Sequence, residues 1–112
     1  AAMNDLLRPA LYKAEHDVWN LEKDSTPEAK VWNIVGPICE SSDFLARNIS
    51  ISAKEDDVLA IKSAGAYGFV MSSNYNSRPK SAEILVDGSE FKLIRKRENF
   101  DDLVQSGISL DD

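Results

Sequence analysis

Cys39 and Glu40 stand side by side in the stretch Gly36-Pro37-Ile38-Cys39-Glu40-Ser41-Ser42-Asp43, a proton source next to a cation acceptor. A thiol is mostly protonated near neutral pH, so Cys39 can hand a proton to a carbanion. Once deprotonated it can also act as a nucleophile. The neighbouring carboxylate can receive an ammonium group. The plainer alternative is a small buried cysteine beside a surface glutamate, and composition does not separate the two.

Two further stretches carry polar groups next to glycine or proline. In Ser63-Ala64-Gly65-Ala66-Tyr67-Gly68 the small residues let a ligand approach the backbone, and Tyr67 offers a hydroxyl to a phosphate or carboxylate. The spacing is not that of a phosphate-binding glycine loop, and a tight bend with a packed tyrosine reads equally well. In Arg8-Pro9-Ala10-Leu11-Tyr12, Arg8 and Tyr12 share a face if the segment is helical. A guanidinium and a phenol together make a carboxylate clamp, against an exposed arginine and a half-buried tyrosine. His16, the single histidine, has no serine in a Gly-x-Ser-x-Gly setting to partner it, so a structural role is expected. Lys92 to Arg97, interleaved with Leu93 and Ile94, fits the solvent face of a strand better than a phosphate site.

These groups need elements to hold them. Pro9 is compatible only with the opening turn of a helix, which predicts a short helical piece between Asn4 and Ala14. Partial alternation predicts a strand over His16 to Leu21, followed by a polar loop from Glu22 to Glu28. Val31 to Val35 is β-branched and aromatic, a strand ended by Gly36-Pro37. Val58 to Ile61 is a short buried run, and Ala64 to Gly68 is too glycine-rich to continue it. Ala82–Val86 and Glu90–Lys96 predict a hairpin with Asp87-Gly88 as the turn signal. Asn99 can cap a helix that begins with two aspartates. Strand and helix do not alternate, so the expected fold is mainly β. It is a small antiparallel sandwich or partly closed barrel with short helices.

With 112 residues the chain is one domain or a large piece of one. Nineteen acidic residues against thirteen basic ones give a net charge of −6, which argues against nucleic-acid partners. No apolar run approaches the roughly 20 residues that a membrane span needs. A single cysteine excludes an internal disulfide and a thiolate zinc cluster, and points to a reducing, cytoplasmic compartment.

Five pieces taken in order resemble the carboxy-terminal region of the diaminopimelate decarboxylases. They are Met3 to Tyr12, Gly36 to Asp43, Ala64 to Gly68, Ser72 to Pro79, and Ile94 to Glu98 before the final Asp-Asp-Leu. The resemblance covers nearly the whole chain. It implies a fold-type-III, pyridoxal 5'-phosphate-dependent enzyme that converts meso-diaminopimelate to L-lysine and CO2. It implies an amino-terminal (β/α)8 barrel carrying the Schiff-base lysine, neither of which is in this chain. Residues 1–112 would form a carboxy-terminal β domain like that of alanine racemase, inactive alone, within a homodimer whose active sites lie at the subunit boundary.

Carried over residue by residue, the resemblance makes Cys39 the proton donor and gives Glu40 the distal ammonium of the substrate, both across the interface. Arg8 and Tyr12 would hold substrate carboxylate, and Tyr67 would contact cofactor and substrate. Two departures stand out. Ser42 replaces the glycine usual in Cys-Glu-Ser-Gly-Asp, and Glu55-Asp56-Asp57 stands where a Gly-Asp turn is common. The alternatives are a non-catalytic decarboxylase-like interaction module and a related ornithine or arginine decarboxylase. The latter enzymes resemble this chain but place aspartate where Glu40 stands.

Overall fold

The computed structural model describes residues 1–22, 27–108 and 110. The chain divides into two compact units, Ala1–Ser72 and Ser73–Asp112. Part of the expected loop from Glu22 to Glu28 lies outside the described residues.

In the first unit a short helix α1 (Arg8–Tyr12) is followed by strands β1 (Val18–Asn20), β2 (Lys30–Val35), β3 (Phe44–Ile51) and β4 (Leu59–Ile61) and by a helix α2 (Ala66–Val70). All pairing is antiparallel: β2 pairs with β3, and β1 pairs with β4, so the β2–β3 hairpin is nested inside the β1–β4 ladder. In the β2–β3 ladder the register shifts around Asn33 and Ile34. There the Asn48 N–H donates to Asn33 Oδ1 at 2.9 Å, and Asn48 itself is left-handed at φ 54°. An asparagine tolerates that conformation better than a branched residue does, and its partner's side chain replaces the lost ladder bond.

The core of this unit is small. Ala2, Leu6, Pro9, Ile38, Leu45 and Ala46 are buried, and they bring the amino-terminal segment, the loop after β2 and the start of β3 together. Among polar residues Asn4 and Asp43 are buried with them.

The second unit holds a single-turn 3₁₀ segment (Tyr75–Ser77), the hairpin β5 (Glu83–Asp87) and β6 (Glu90–Arg95), and helix α3 (Phe100–Val104). The hairpin turns through Gly88 and Ser89, one residue later than the sequence signal, with Gly88 at φ +58° where a side chain is strained. Asn99 caps α3 in a reciprocal box: its Oδ1 accepts the Asp102 N–H, and the Asp102 carboxylate accepts the Asn99 N–H. Ile84, Leu85, Val86, Phe91, Leu93 and Ile94 are all exposed on this hairpin. A two-stranded ribbon with both faces open is marginal in water on its own.

The expected class, mainly antiparallel β with short helices, is the one observed. Among the described residues the strands form three two-stranded sheets and no closed barrel. The pattern in the sequence did not reveal β3, the longest strand among the described residues, or α2.

Candidate functional site

Helix α1 is held by its backbone. Pro9 occupies its first turn, Lys13 closes it at φ 56°, and the N–H groups of Lys13 and Ala14 both return to the Arg8 carbonyl. Arg8 and Tyr12 therefore do share a face, and the Arg8 guanidinium carbon lies 5.9 Å from the Tyr12 ring centroid. Tyr67 reaches the same guanidinium from α2, at 5.5 Å. In α2 the neighbouring Gly68 is buried near the Leu6 side chain, next to the segment that leads into α1. Both phenol rings remain more than half exposed, Tyr12 at 62% and Tyr67 at 65%. Arg8 thus projects between two open aromatic rings. At these distances each ring contact contributes about 0.5–1 kcal/mol, enough to restrict the guanidinium without neutralising it.

Cys39 and Glu40 sit in the loop that joins β2 to β3. The loop is closed at its base, where the Gly36 N–H donates to the Asp43 carbonyl at 3.1 Å. Ile38 points into the core and is buried, while Cys39 and Glu40 are exposed, with the Cys39 thiol free. A buried Cys39, the plainer sequence alternative, is therefore not what the chain adopts. The loop's anchor is the Asp43 carboxylate. Oδ2 accepts the Ile38 N–H at 2.6 Å, and Oδ1 accepts the Met3 N–H at 2.6 Å. Gly36 lies against this carboxylate so closely that a Cβ there would overlap it.

Other bonds fasten the rest of the loop. The Ser42 hydroxyl donates to Glu40 Oε1 at 2.6 Å. Arg47 Nη2 donates to the Ser41 carbonyl at 3.3 Å while the guanidinium stacks on the Phe44 ring at 3.6 Å. A hollow of about 450 Å³ opens here, with Glu40, Ser41, Phe44 and Arg47 on its wall.

The structure therefore assembles two groups, the guanidinium between two phenols and the thiol–carboxylate loop, and ties the second to the segment that leads into the first. Asp43 is the functional residue that its place in the motif did not single out. An aspartate closing a Gly-Pro loop is a common acceptor for backbone N–H groups, which was the signal available. His16, expected to be structural, has its Nδ1 3.0 Å from the Lys62 carbonyl oxygen. In the Lys92–Arg97 stretch Arg95 pairs with Glu83 across the hairpin. Among the described residues no cluster of His, Cys, Asp and Glu side chains is arranged to hold a metal ion, and no helix is long and apolar enough to cross a membrane.

Residues 1–65 match the family model described as pyridoxal-dependent decarboxylase, C-terminal sheet domain. The chain belongs to that family. Its similarity to individual members extends further along the sequence. It is 55% identical over 108 residues to the diaminopimelate decarboxylase of Zymomonas mobilis, covering 94% of this chain and 25% of that protein. To the enzyme of the same name from Vibrio cholerae it is 52% identical over 103 residues, covering 92% and 24%. Among solved structures it matches diaminopimelate decarboxylase from M. jannaschii in co-complex with L-lysine, with a TM-score of 0.89 and 41% identity over 97% of this chain and 25% of that one. The enzyme from Helicobacter pylori complexed with L-lysine gives a TM-score of 0.84 and 42% identity, over 94% and 26%. The chain spans about a quarter of the length of these relatives.

Proposed function

We propose that residues 1–112 are the carboxy-terminal β domain of a pyridoxal 5'-phosphate-dependent decarboxylase converting meso-diaminopimelate to L-lysine and CO2. Alone the chain is inactive; within the full enzyme it reads the substrate, supplies a proton and forms part of a homodimer. The observation that carries this reading is the pairing of an exposed thiol with an adjacent carboxylate on a loop pinned by Asp43, in a chain about half identical to enzymes of that name. The open apolar faces of β5–β6 support a domain built to be covered by more protein. The exposed, unpaired thiol supports a reducing cytoplasm.

In this reading Arg8, steadied between Tyr12 and Tyr67, binds a substrate carboxylate, and Tyr12 donates its hydroxyl to the same group. Tyr67 also touches the cofactor. What supports this is an open phenol beside Gly65, where an added Cβ would meet nothing within 4 Å, so a flat ligand can approach that edge. The lysine that bonds the cofactor belongs to the barrel, outside this chain. The cofactor supplies the electron sink for loss of CO2. The chain's own contribution is to orient the bond that breaks and to deliver a proton from Cys39 Sγ to the carbon left behind. Glu40 holds the distal ammonium, and Cys39 and Glu40 act on the neighbouring subunit's substrate.

The full-length protein with pyridoxal 5'-phosphate tests this directly. Release of CO2 and L-lysine from meso-diaminopimelate, lost in Arg8→Ala, is the expected result. Preferential turnover of ornithine or arginine would overturn the substrate assignment, and a folded but inert protein would overturn the enzyme.

A further inference from the structure

We propose that Arg47 is a positioning residue for proton delivery, holding the loop that carries Cys39 through the Ser41 carbonyl. The inference rests on the reading of Cys39 as the proton donor. In a regular strand side chains alternate between faces, so residues three apart, such as Phe44 and Arg47, point to opposite sides. Here they meet, with the Arg47 guanidinium carbon 3.6 Å from the Phe44 ring centroid. The register of the β2–β3 ladder shows why. Val35 stands opposite Phe44 and Ile34 opposite Ala46, so Leu45 is an extra residue on β3. A bulge of this kind breaks the alternation and re-aims the side chains beyond it. Leu45 and Ala46 are accordingly both buried, and Arg47 turns back over Phe44. The next shift sets Asn33 against both Arg47 and Asn48, and Asn33 Oδ1 takes the Asn48 N–H at 2.9 Å, fixing the backbone just beyond Arg47.

From that position Arg47 Nη2 donates to the Ser41 carbonyl at 3.3 Å. The carbonyls around it are held by backbone: Ile38 accepts the Glu40 N–H at 2.7 Å, Glu40 the Asp43 N–H at 3.0 Å, and Ser42 the Phe44 N–H at 2.9 Å. Ser41 accepts instead from a side chain rooted in β3, outside the loop. One exposed bond of this length holds little when its donor is mobile. A planar guanidinium laid on a ring is already restricted, so less freedom is lost when the bond forms. Cys39 lies exposed two residues from that carbonyl. The tether therefore limits how far its thiol strays from the carbon that takes the proton.

The test uses the full-length enzyme in steady-state kinetics on meso-diaminopimelate. Arg47→Met, which keeps an unbranched stem over Phe44 but loses the donor, should lower kcat about three- to tenfold with KM within about twofold. Arg47→Lys, which keeps a donor, should restore most of the loss. In a Cys39→Ala background Arg47→Met should lower the residual kcat by less than about twofold, because Arg47 acts through the thiol. Unchanged kcat in Arg47→Met would overturn the proposal. So would a rise in KM alone, which would mean that Arg47 meets the substrate itself, or a full effect in the Cys39→Ala background, which would mark a merely structural residue. Those outcomes leave the proton-donor reading standing. A Cys39→Ala single variant that turns over like wild type would overturn that reading and this proposal with it.

Discussion

Asp43 Oδ1 accepts the backbone N–H of Met3 at 2.6 Å, joining residues forty apart in sequence. The same carboxylate takes the Ile38 N–H on its other oxygen, so one buried side chain fixes both the cysteine loop and the segment that enters α1. Removing it strands a buried donor and a part-buried one at once. Asp43→Ala should therefore cost about 2–4 kcal/mol, and Asp43→Asn, which keeps one acceptor oxygen, clearly less. Gly36→Ala should cost about 1–3 kcal/mol, since its Cβ overlaps the carboxylate. Denaturant unfolding of the full-length protein measures all three, and equal, small losses would show that the carboxylate is not the anchor.

Cys39 is exposed on a loop whose underside is held by Ile38 and Asp43, so its replacement should leave the scaffold intact. Cys39→Ala in the full-length enzyme is expected to depress turnover by about 10²–10⁴-fold with little change in substrate binding, the signature of a lost general acid. Mixing this variant with one lacking the barrel lysine should recover part of the activity if Cys39 serves the neighbouring subunit. No recovery in mixed dimers would place its action within one subunit.

How much of this was legible beforehand depended on how local the cause was. The β5–β6 hairpin and the α3 cap are announced by Gly88, Asn99 and Asp102 within a few residues, and both formed. Arg8 and Tyr12 meet because four residues of helix separate them, which spacing alone reveals. The remainder was not local. In β3, Arg47-Asn48 interrupts the apolar pattern, and the strand persists because Asn33 takes up the N–H that the kink releases. Helix α2 has no side-chain cap at Gly65 and follows a glycine-rich turn, so it read as a bend. Tyr67 meets Arg8 from a different helix, a tertiary contact without a sequence signal.

Glu98 offers a pH test within the second unit. Its Oε2 accepts the Lys80 N–H at 2.8 Å and an Asn74 amide hydrogen at 2.7 Å, and its own N–H returns to the Lys80 carbonyl at 3.1 Å. The Lys80 backbone bond first, then the Asn74 bond, hold the carboxyl below the ordinary glutamate value, against a smaller opposing desolvation. A lowered value favours the charged form, so this stabilisation is complete above about pH 4.3 and fades as pH falls through the lowered value. Hydrogen exchange at the Lys80 amide should therefore be better protected in wild type than in Glu98→Gln at about pH 6, with the gap closing as pH falls through the lowered value. A gap independent of pH would mean that the charge of Glu98 does not matter.

Specificity is the sharpest test of the carboxylate beside the thiol. Glu40 is proposed to meet the ammonium at the far end of diaminopimelate, a charge that leaves water only if it finds a partner. A desolvated ligand charge left without one costs several kcal/mol, so the discrimination between substrates should rest on this residue. In the full-length enzyme Glu40→Gln should lose more than about tenfold in kcat/KM on meso-diaminopimelate, because each 1.4 kcal/mol is about tenfold. On an analogue lacking the distal ammonium the same variant should lose much less, since nothing there needs the charge. Glutamine matches glutamate in size and can still accept the Ser42 hydroxyl, so a loss confined to diaminopimelate isolates the charge from the packing. Equal changes on both substrates would make Glu40 a surface residue beside the thiol, and the assignment of diaminopimelate over its shorter relatives would then lack its recognising group.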